Sequence, residues 1–257
     1  MTQERRRPRR GVETGLATAA IWATVSGVAK ERAAELGRPL RVLDLGGGTG
    51  GLAVPLAQAG HDVIVVDPSP NALAALRRRA GEAGVTAAIT AVQGDAENLR
   101  AVLPGPLVDL ACLHGTLEVV DDPGATLSRI GDVVTPGGWL SLVVAQRLGA
   151  VLARAIAGHF HQALAALESP DGRWGSGDPL PRRFDQSTVH ELLAAAGFTV
   201  DRSHGVRLFS DLVPSIFLDS DTDREALLAL EAAVIAHPEF AVLGQIGTAL
   251  HVVARRH

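Results

Sequence analysis

Tyrosine is absent from this chain, cysteine occurs once, and aromatic residues make up only 4% of its 257 positions. One cysteine excludes an internal disulfide and fits a reducing compartment, so a cytoplasmic protein is expected. That residue, Cys112, lies in an apolar stretch and reads as a small buried strand residue. Few aromatics, set against abundant alanine and 47% hydrophobic residues, point to helices packed on a sheet rather than an all-β sandwich. No apolar run reaches membrane length, and no internal repeat is evident. An excess of one charge is missing too: the net charge of −4 means the whole molecule is not a binder of polyanions, and a nucleic-acid site would have to be a local basic patch.

The length allows one large domain, or one with an appended lobe. Residues 5–10 read RRRPRR, and a mostly apolar stretch follows from Leu16 to Ala29, an arrangement shared with twin-arginine export signals. Glu13, Thr14 and Gly15 interrupt its start, and Thr24 and Ser26 dilute it. Residues 1–12 are therefore read as a disordered basic arm leading into a helix. Such an arm can touch nucleic acid, but most are simply solvated. Residues 13–257 are read as a single domain.

From residue 40 onward strand and helix signals alternate. Leu40 to Asp44, Asp62 to Asp67, Ala88 to Gln93, Leu107 to Leu113 and Trp139 to Ala145 are short β-like runs. Between them, Leu52 to Ala59, Asn71 to Ala83 and Ala125 to Val134 have helical patterns. Alternation of this kind means βαβ units, hence an α/β, doubly wound, Rossmann-like sheet, mostly parallel, with helices on both faces. Strands at Thr199 to Val206 and Ala249 to Ala254 bring the sheet to seven. Residues 147–184 break the rhythm: Val151 to Leu167 is helical in pattern, and Ser169 to Arg183 is a loop rich in Gly, Pro and Arg. An insertion there would overhang the strand ends as a substrate cap. Two more helices are expected at Val189 to Ala196 and Arg224 to Ala236.

The run Asp44-Leu45-Gly46-Gly47-Gly48-Thr49-Gly50-Gly51 follows a strand and precedes a helix, where glycines allow a tight turn and close approach of a ligand. It satisfies G-x-G-x-x-G at 46, 48 and 51, the dinucleotide fingerprint, and also D-x-G-x-G-x-G at 44, 46, 48 and 50, the pattern of class I methyltransferases. The glycines alone do not separate the two, nor exclude a purely structural turn. Three acids tilt the balance toward S-adenosylmethionine (SAM). Asp44 would repel a pyrophosphate but can accept from loop groups or an ammonium. Asp67, followed by Pro68, ends the next strand and can accept from both ribose hydroxyls, which suits NAD equally. Asp95, followed by Ala96, can meet an adenine amino group. The turn Pro136-Gly137-Gly138 before a strand is a further methyltransferase habit. SAM is the cofactor expected.

With these residues in place the chain resembles the class I SAM-dependent methyltransferases. Within them it is similar to the enzymes that methylate 5-carboxymethoxyuridine at the tRNA wobble position. The resemblance rests on Leu43 to Gly48, Leu113 to Val119, Asp122-Pro123, Pro136 to Leu142, Ala157 to Phe160, Pro181-Arg182, Gly205 to Phe209, Leu243-Gly244 and His251 to Arg255. It spans about residues 40 to 256 in order. Departures are visible. Ala17 or Thr18 stands where that family has an Arg for the methionine carboxylate, and Ala145-Gln146 where it has Tyr-Asn. Ser169 to Gly177, with only Arg173 basic, replaces its lysine-rich loop.

The resemblance implies a carboxylate acceptor, a methyl ester product, and tRNA as partner. A small-molecule acceptor, or a SAM-binding protein without activity, are the alternatives. A carboxylate is already ionised and needs no base; it needs cations or donors to hold it. Arg207 and Arg182 are the candidates, each weighed against an ordinary surface or structural role. His114, at the end of the fourth strand, is a cofactor-site residue in the family. It could act as a base on a hydroxyl or amine acceptor, or be a hydrogen-bonded structural histidine. Glu118 either orients nearby groups or is simply polar at a helix start. Trp174 either stacks on a base or anchors the cap. His159 and His161 are spaced i,i+2, off a common helix face, with no cysteine nearby, so no metal is assigned.

Overall fold

A computed structural model describes residues 10–237, 239 and 242–257, with side chains from residue 20 onward except that of Ser215. The seven strands are β1 (Arg41–Leu45), β2 (Asp62–Asp67), β3 (Ile89–Gln93), β4 (Val108–His114), β5 (Val134–Ala145), β6 (Phe198–Val206) and β7 (Ala249–Arg256). They form one sheet in the order β3-β2-β1-β4-β5-β7-β6. β1 to β5 pair in parallel, and β7 enters antiparallel between β5 and β6. The chain first winds outward from β1 through β2 to β3, then returns to place β4 on the other side of β1. The resulting switch point, between β1 and β4, is where such sheets bind ligands.

The strands at the centre are apolar without alternation because both faces are covered. In β4 every residue from Val108 to Leu113 is buried, Cys112 fully. One face packs α1 (Arg10–Leu36), α2 (Ala53–Gln58) and α3 (Pro70–Glu82) through Val25, Val28, Leu56, Leu73 and Leu76. The other packs α4 (Leu99–Val102), α5 (Pro123–Val133) and α8 (Gln186–Ala195) through Leu99, Leu127, Ile130, Val189 and Leu193. The sequence sets the helix starts. Ser69 accepts from the Ala72 N–H ahead of Pro70, and Asp122 accepts from the Ala125 N–H ahead of Pro123, each a capping side chain with proline in the first turn.

Three local outcomes differ from the sequence reading. The helix expected over Val151 to Leu167 is two helices, α6 (Arg147–Ile156) and α7 (Phe160–Glu168), because Gly158 takes φ of 78° and ends the first. β5 starts at Val134 rather than Trp139. Val134 pairs with Val108, Pro136-Gly137-Gly138 is absorbed in an irregularity, and regular pairing resumes at Trp139 with Leu110. α1 already includes Arg10 to Val12, which the sequence reading placed in the arm. Residues 1–9, with most of the basic run, lie outside the described residues. The remaining helix, α9 (Asp221–Ala236), is capped by Ser220, which accepts from the Asp223 N–H. No helix among the described residues is long and apolar enough to cross a membrane.

Candidate active site

The glycine turn leaves β1 at the switch point and is held from both sides. The Gly46 N–H donates to Val66 O at 2.7 Å, tying the turn to β2. The Gly48 N–H donates to Asp67 Oδ2 at 2.9 Å, and the Ser69 N–H donates to Asp67 Oδ1 at 2.8 Å. Asp67 therefore fastens the turn to the end of β2 while its carboxylate stays at the strand terminus. Two glycines are demanded by space. Gly46 has φ of 76°, and a Cβ there would collide with Thr116 Oγ1, whose hydroxyl donates to Leu45 O at 3.1 Å. A Cβ on Gly47 would run into the Asp44 carboxylate.

Beside this turn opens a cavity of about 640 Å³ between the glycines, α1 and α2. Its wall includes Asp44, Gly46, Gly47 and His114 from the expected set, together with Ile21 and Trp22. Asp44 is 3% exposed, and its Oδ2 is buried without a hydrogen-bond partner. Burial, then the nearby Asp67 charge, push the Asp44 carboxyl up to about 7. An acceptor oxygen with no protein donor, facing a cavity shaped by glycines, is suited to a cationic or donor group of a ligand. His114 is driven the other way: burial lowers its imidazole to about 4, so the ring is neutral. Its Nε2 lies 2.9 Å from Ser141 Oγ.

Asp67, Pro68, Asp95 and Ala96 gather at the ends of β2 and β3, outside the wall of this cavity. The Gly94 N–H donates to Asp67 O at 3.3 Å, so the two acids belong to adjoining strand ends. Asp95 is exposed, and its Oδ1 accepts from the N–H groups of Glu97 and Asn98 at 2.9 and 3.1 Å. Ala96 is buried.

Neither Arg207 nor Arg182 lines the cavity. Arg182 donates to Val120 O at 2.7 Å and to Asp121 O at 3.4 Å, so its guanidinium is engaged in fastening the 147–184 segment to the loop after β4. Arg207 follows β6 with φ of 58°, the one positive φ of a non-glycine residue among the described residues. Backbone strain of this kind gathers at functional positions. Its side chain is half-exposed, with Nε 3.4 Å from Asp211 Oδ2. Glu118 sits in a turn rather than at a helix start. It is 4% exposed, and its Oε1 accepts from the Ala145 N–H at 2.6 Å. Burial raises its carboxyl, opposed by that N–H and by the charges of Arg207 and Arg183.

In the 147–184 segment, the Arg183 guanidinium makes a buried ion pair with Asp178, and Arg147 donates to Ser169 O at 2.7 Å and Pro170 O at 3.0 Å. Arg154 stacks 4.1 Å from the centre of the Trp174 ring, which joins the loop to α6 and covers one face of the indole. His159 and His161 are exposed, and no group of three or more His, Cys, Asp or Glu among the described residues is placed to hold a metal. The side chains of Ala17 and Thr18 lie outside the described residues.

Sequence reasoning missed Ser141 and His251. Ser141 Oγ lies 2.8 Å from His251 Nε2 as well as beside His114, and both residues are buried. The available signal was a single polar residue inside each apolar strand run, Leu140-Ser141-Leu142 and Leu250-His251-Val252. It also missed α1's part in the cavity through Ile21 and Trp22.

Comparison with known proteins agrees with this geometry. Residues 23–203 match the family model described as a methyltransferase domain. The tRNA 5-carboxymethoxyuridine methyltransferase of Escherichia coli K12 is 34% identical over 224 residues, covering 87% of this chain and 83% of its own length. The ubiquinone biosynthesis O-methyltransferase of Azorhizobium caulinodans is 32% identical over 184 residues, covering 72% of this chain and 68% of its own length. Among solved structures, an S-adenosylmethionine-dependent methyltransferase from Mesorhizobium loti superposes with a TM-score of 0.60 at 22% identity, covering 95% of this chain and all of that one. Magnesium protoporphyrin IX methyltransferase from Synechocystis PCC 6803 with bound SAH gives 0.61 at 18% identity, covering 98% of this chain and 90% of that one.

Proposed function

This chain belongs to the methyltransferase-domain family of SAM-dependent enzymes, and from that premise we propose that it esterifies the carboxylate of a small-molecule acceptor. The observation that carries the acceptor chemistry is the state of His114. A neutral imidazole of such low basicity, with one nitrogen already engaged by Ser141, is a poor base at neutral pH. An acceptor that arrives ionised needs none. Arg207 would hold that carboxylate, its Asp211 partner yielding to the substrate. When bound, SAM supplies an electrophilic methyl group, so the chain's own work is positioning. In this reading Asp44 accepts from the cofactor's ammonium end, Asp67 from the ribose hydroxyls, and the Asp95-Ala96 turn meets the adenine. Gly46, Gly47 and Gly48 leave room for the backbone to approach, and residues 147–184 overhang the acceptor as a cap. Arg182, proposed from sequence as a second substrate cation, is reassigned to holding the cap.

Charge favours a small acceptor. Arg147, Arg182 and Arg183 are each committed to carbonyls or carboxylates inside the cap, and Arg207 faces Asp211. These contacts hold the four side chains in place within the protein and leave them less free to track a polyanion. A second reading, methyl esterification of 5-carboxymethoxyuridine in tRNA, is favoured by the 34% identity to the E. coli enzyme over most of both chains. Cytoplasmic residence belongs to both readings and is supported by the lone Cys112. The test is transfer from methyl-labelled SAM to total tRNA and, separately, to a pool of small carboxylic acids. Label released by mild alkali from the low-mass fraction is the expected result. Alkali-labile label in tRNA would favour the second reading, and alkali-stable label anywhere would overturn ester formation.

A further inference from the structure

His114 does not stand alone at the end of β4. Register places it on one face of the sheet with Ser141 of β5, His251 of β7 and His204 of β6: Cys112 pairs with Ser141, His114 with Val143, Val143 with His251, and His251 with His204. Paired strand residues share a face, and so do residues two apart along a strand. The polar atoms follow. Ser141 Oγ is 2.9 Å from His114 Nε2 and 2.8 Å from His251 Nε2. The His251 and His204 rings meet edge to face at 5.2 Å.

A hydroxyl has one proton to donate, so of the two imidazoles flanking Ser141 one must donate to it and the other accept from it. Both rings are neutral. Burial lowers both His114 and His251, and His251 also faces His114, His204 and the Arg202 charge. Two neutral rings on one hydroxyl must then be opposite tautomers. The far end decides which. His251 Nδ1 is buried with no partner, and a buried N–H without an acceptor is rarer in folded proteins than a bare acceptor. His251 therefore carries its proton on Nε2 and donates to Ser141. Ser141 donates to His114 Nε2, and the His114 proton resides on Nδ1.

We propose that Ser141 and His251 are positioning residues that lock His114 as the Nδ1–H tautomer, so that a histidine lining the cavity presents a hydrogen-bond donor there and not a base. No hydrogen bond from another described residue reaches His114 Nδ1, and the groups complementary to it are carboxylate oxygens, of the cofactor's amino-acid end or of the acceptor. The inference extends the methyltransferase reading, but its primary test does not depend on that activity.

Long-range ¹H–¹⁵N correlation spectra of the ligand-free, ¹⁵N-histidine-labelled protein report the protonated nitrogen of each of its nine histidines directly. His114→Asn, His251→Gln and His251→Phe assign the signals. Wild type is expected to show His114 protonated at Nδ1 and His251 at Nε2. Ser141→Ala and His251→Phe should move the His114 nitrogens toward an averaged tautomer, and His251→Gln, whose amide can still donate to Ser141, should restore them. With turnover, Ser141→Ala should lose roughly tenfold in kcat/KM, the loss appearing in SAH affinity if the donor serves the cofactor and in acceptor KM if it serves the acceptor. His114 protonated at Nε2 in wild type, or His114 signals unmoved in a folded Ser141→Ala protein, would overturn the proposal, whatever the enzyme methylates.

Discussion

Replacing Asp44 with asparagine is expected to make the ligand-free protein more stable at alkaline pH while weakening its hold on SAM. The carboxyl is 3% exposed and is pushed by burial from its ordinary 3.8 up to about 7. In the unfolded chain it is ionised above pH 4, whereas in the folded chain it keeps its proton until about 7. The folded state binds more protons across that window, so stability contributed below pH 4 is lost as pH rises through 7. A shift from 3.8 to about 7 corresponds to roughly 4 kcal/mol at pH 8, of which about 2.5 kcal/mol develops between pH 5 and pH 8. Asparagine keeps the shape and a similar polar burden but cannot ionise. Urea unfolding of both proteins at pH 5 and pH 8 reads the difference. The wild type should lose about 2.5 kcal/mol relative to Asp44→Asn between those two points, and calorimetry at pH 8 should show weaker SAH binding by the variant. Parallel pH profiles would refute the argument that a desolvated carboxylate is kept for a cationic ligand, and so would a variant less stable than wild type at pH 8.

Gly47→Ala forces a methyl group into the Asp44 carboxylate. It should destabilise by about 1–3 kcal/mol in thermal unfolding, with SAH binding lost in calorimetry. Arg207→Ala should raise the acceptor KM by roughly 10- to 100-fold with SAH affinity unchanged, the value of a charge-assisted hydrogen bond; equal loss of both would place the residue at the cofactor. Asp178→Asn leaves the Arg183 guanidinium without its buried countercharge. A loss of about 3–5 kcal/mol in chemical unfolding is expected, with faster proteolysis between residues 169 and 183.

What the sequence disclosed follows the range of the interactions involved. β1, β2 and β4 were readable because burial on both faces makes them nearly continuous apolar runs, whereas the helix starts at Pro70, Pro123, Gln186 and Asp221 were read one to three residues late, the caps Ser69, Asp122 and Ser220 being passed over. The glycine turn was equally local. Gly46 is bounded by Thr116 and Gly47 by Asp44, but the need for glycine was plain from the strand-turn-helix context alone. The two arginines show where local reading ends. Arg182 and Arg207 look alike as isolated cations. Only the fold shows that the first is spent on carbonyls 61 and 62 positions away, while the second sits on a strained backbone beside Asp211 and within electrostatic reach of Glu118.

The Ser141–His251 contact, 110 positions apart, was out of reach for a different reason. It depends on the direction of β7. Two parallel final strands in the order of the chain would have set β6 next to β5 and moved His251 a strand further from Ser141. Because β7 enters antiparallel between β5 and β6, Val143 pairs with His251, and the serine two residues before Val143 falls within reach of that ring. The reversed strand thus does more than complete the sheet. It carries a buried imidazole into the polar line that begins at the cavity wall with His114, joining the strand edge farthest from the glycine turn to the wall of that cavity.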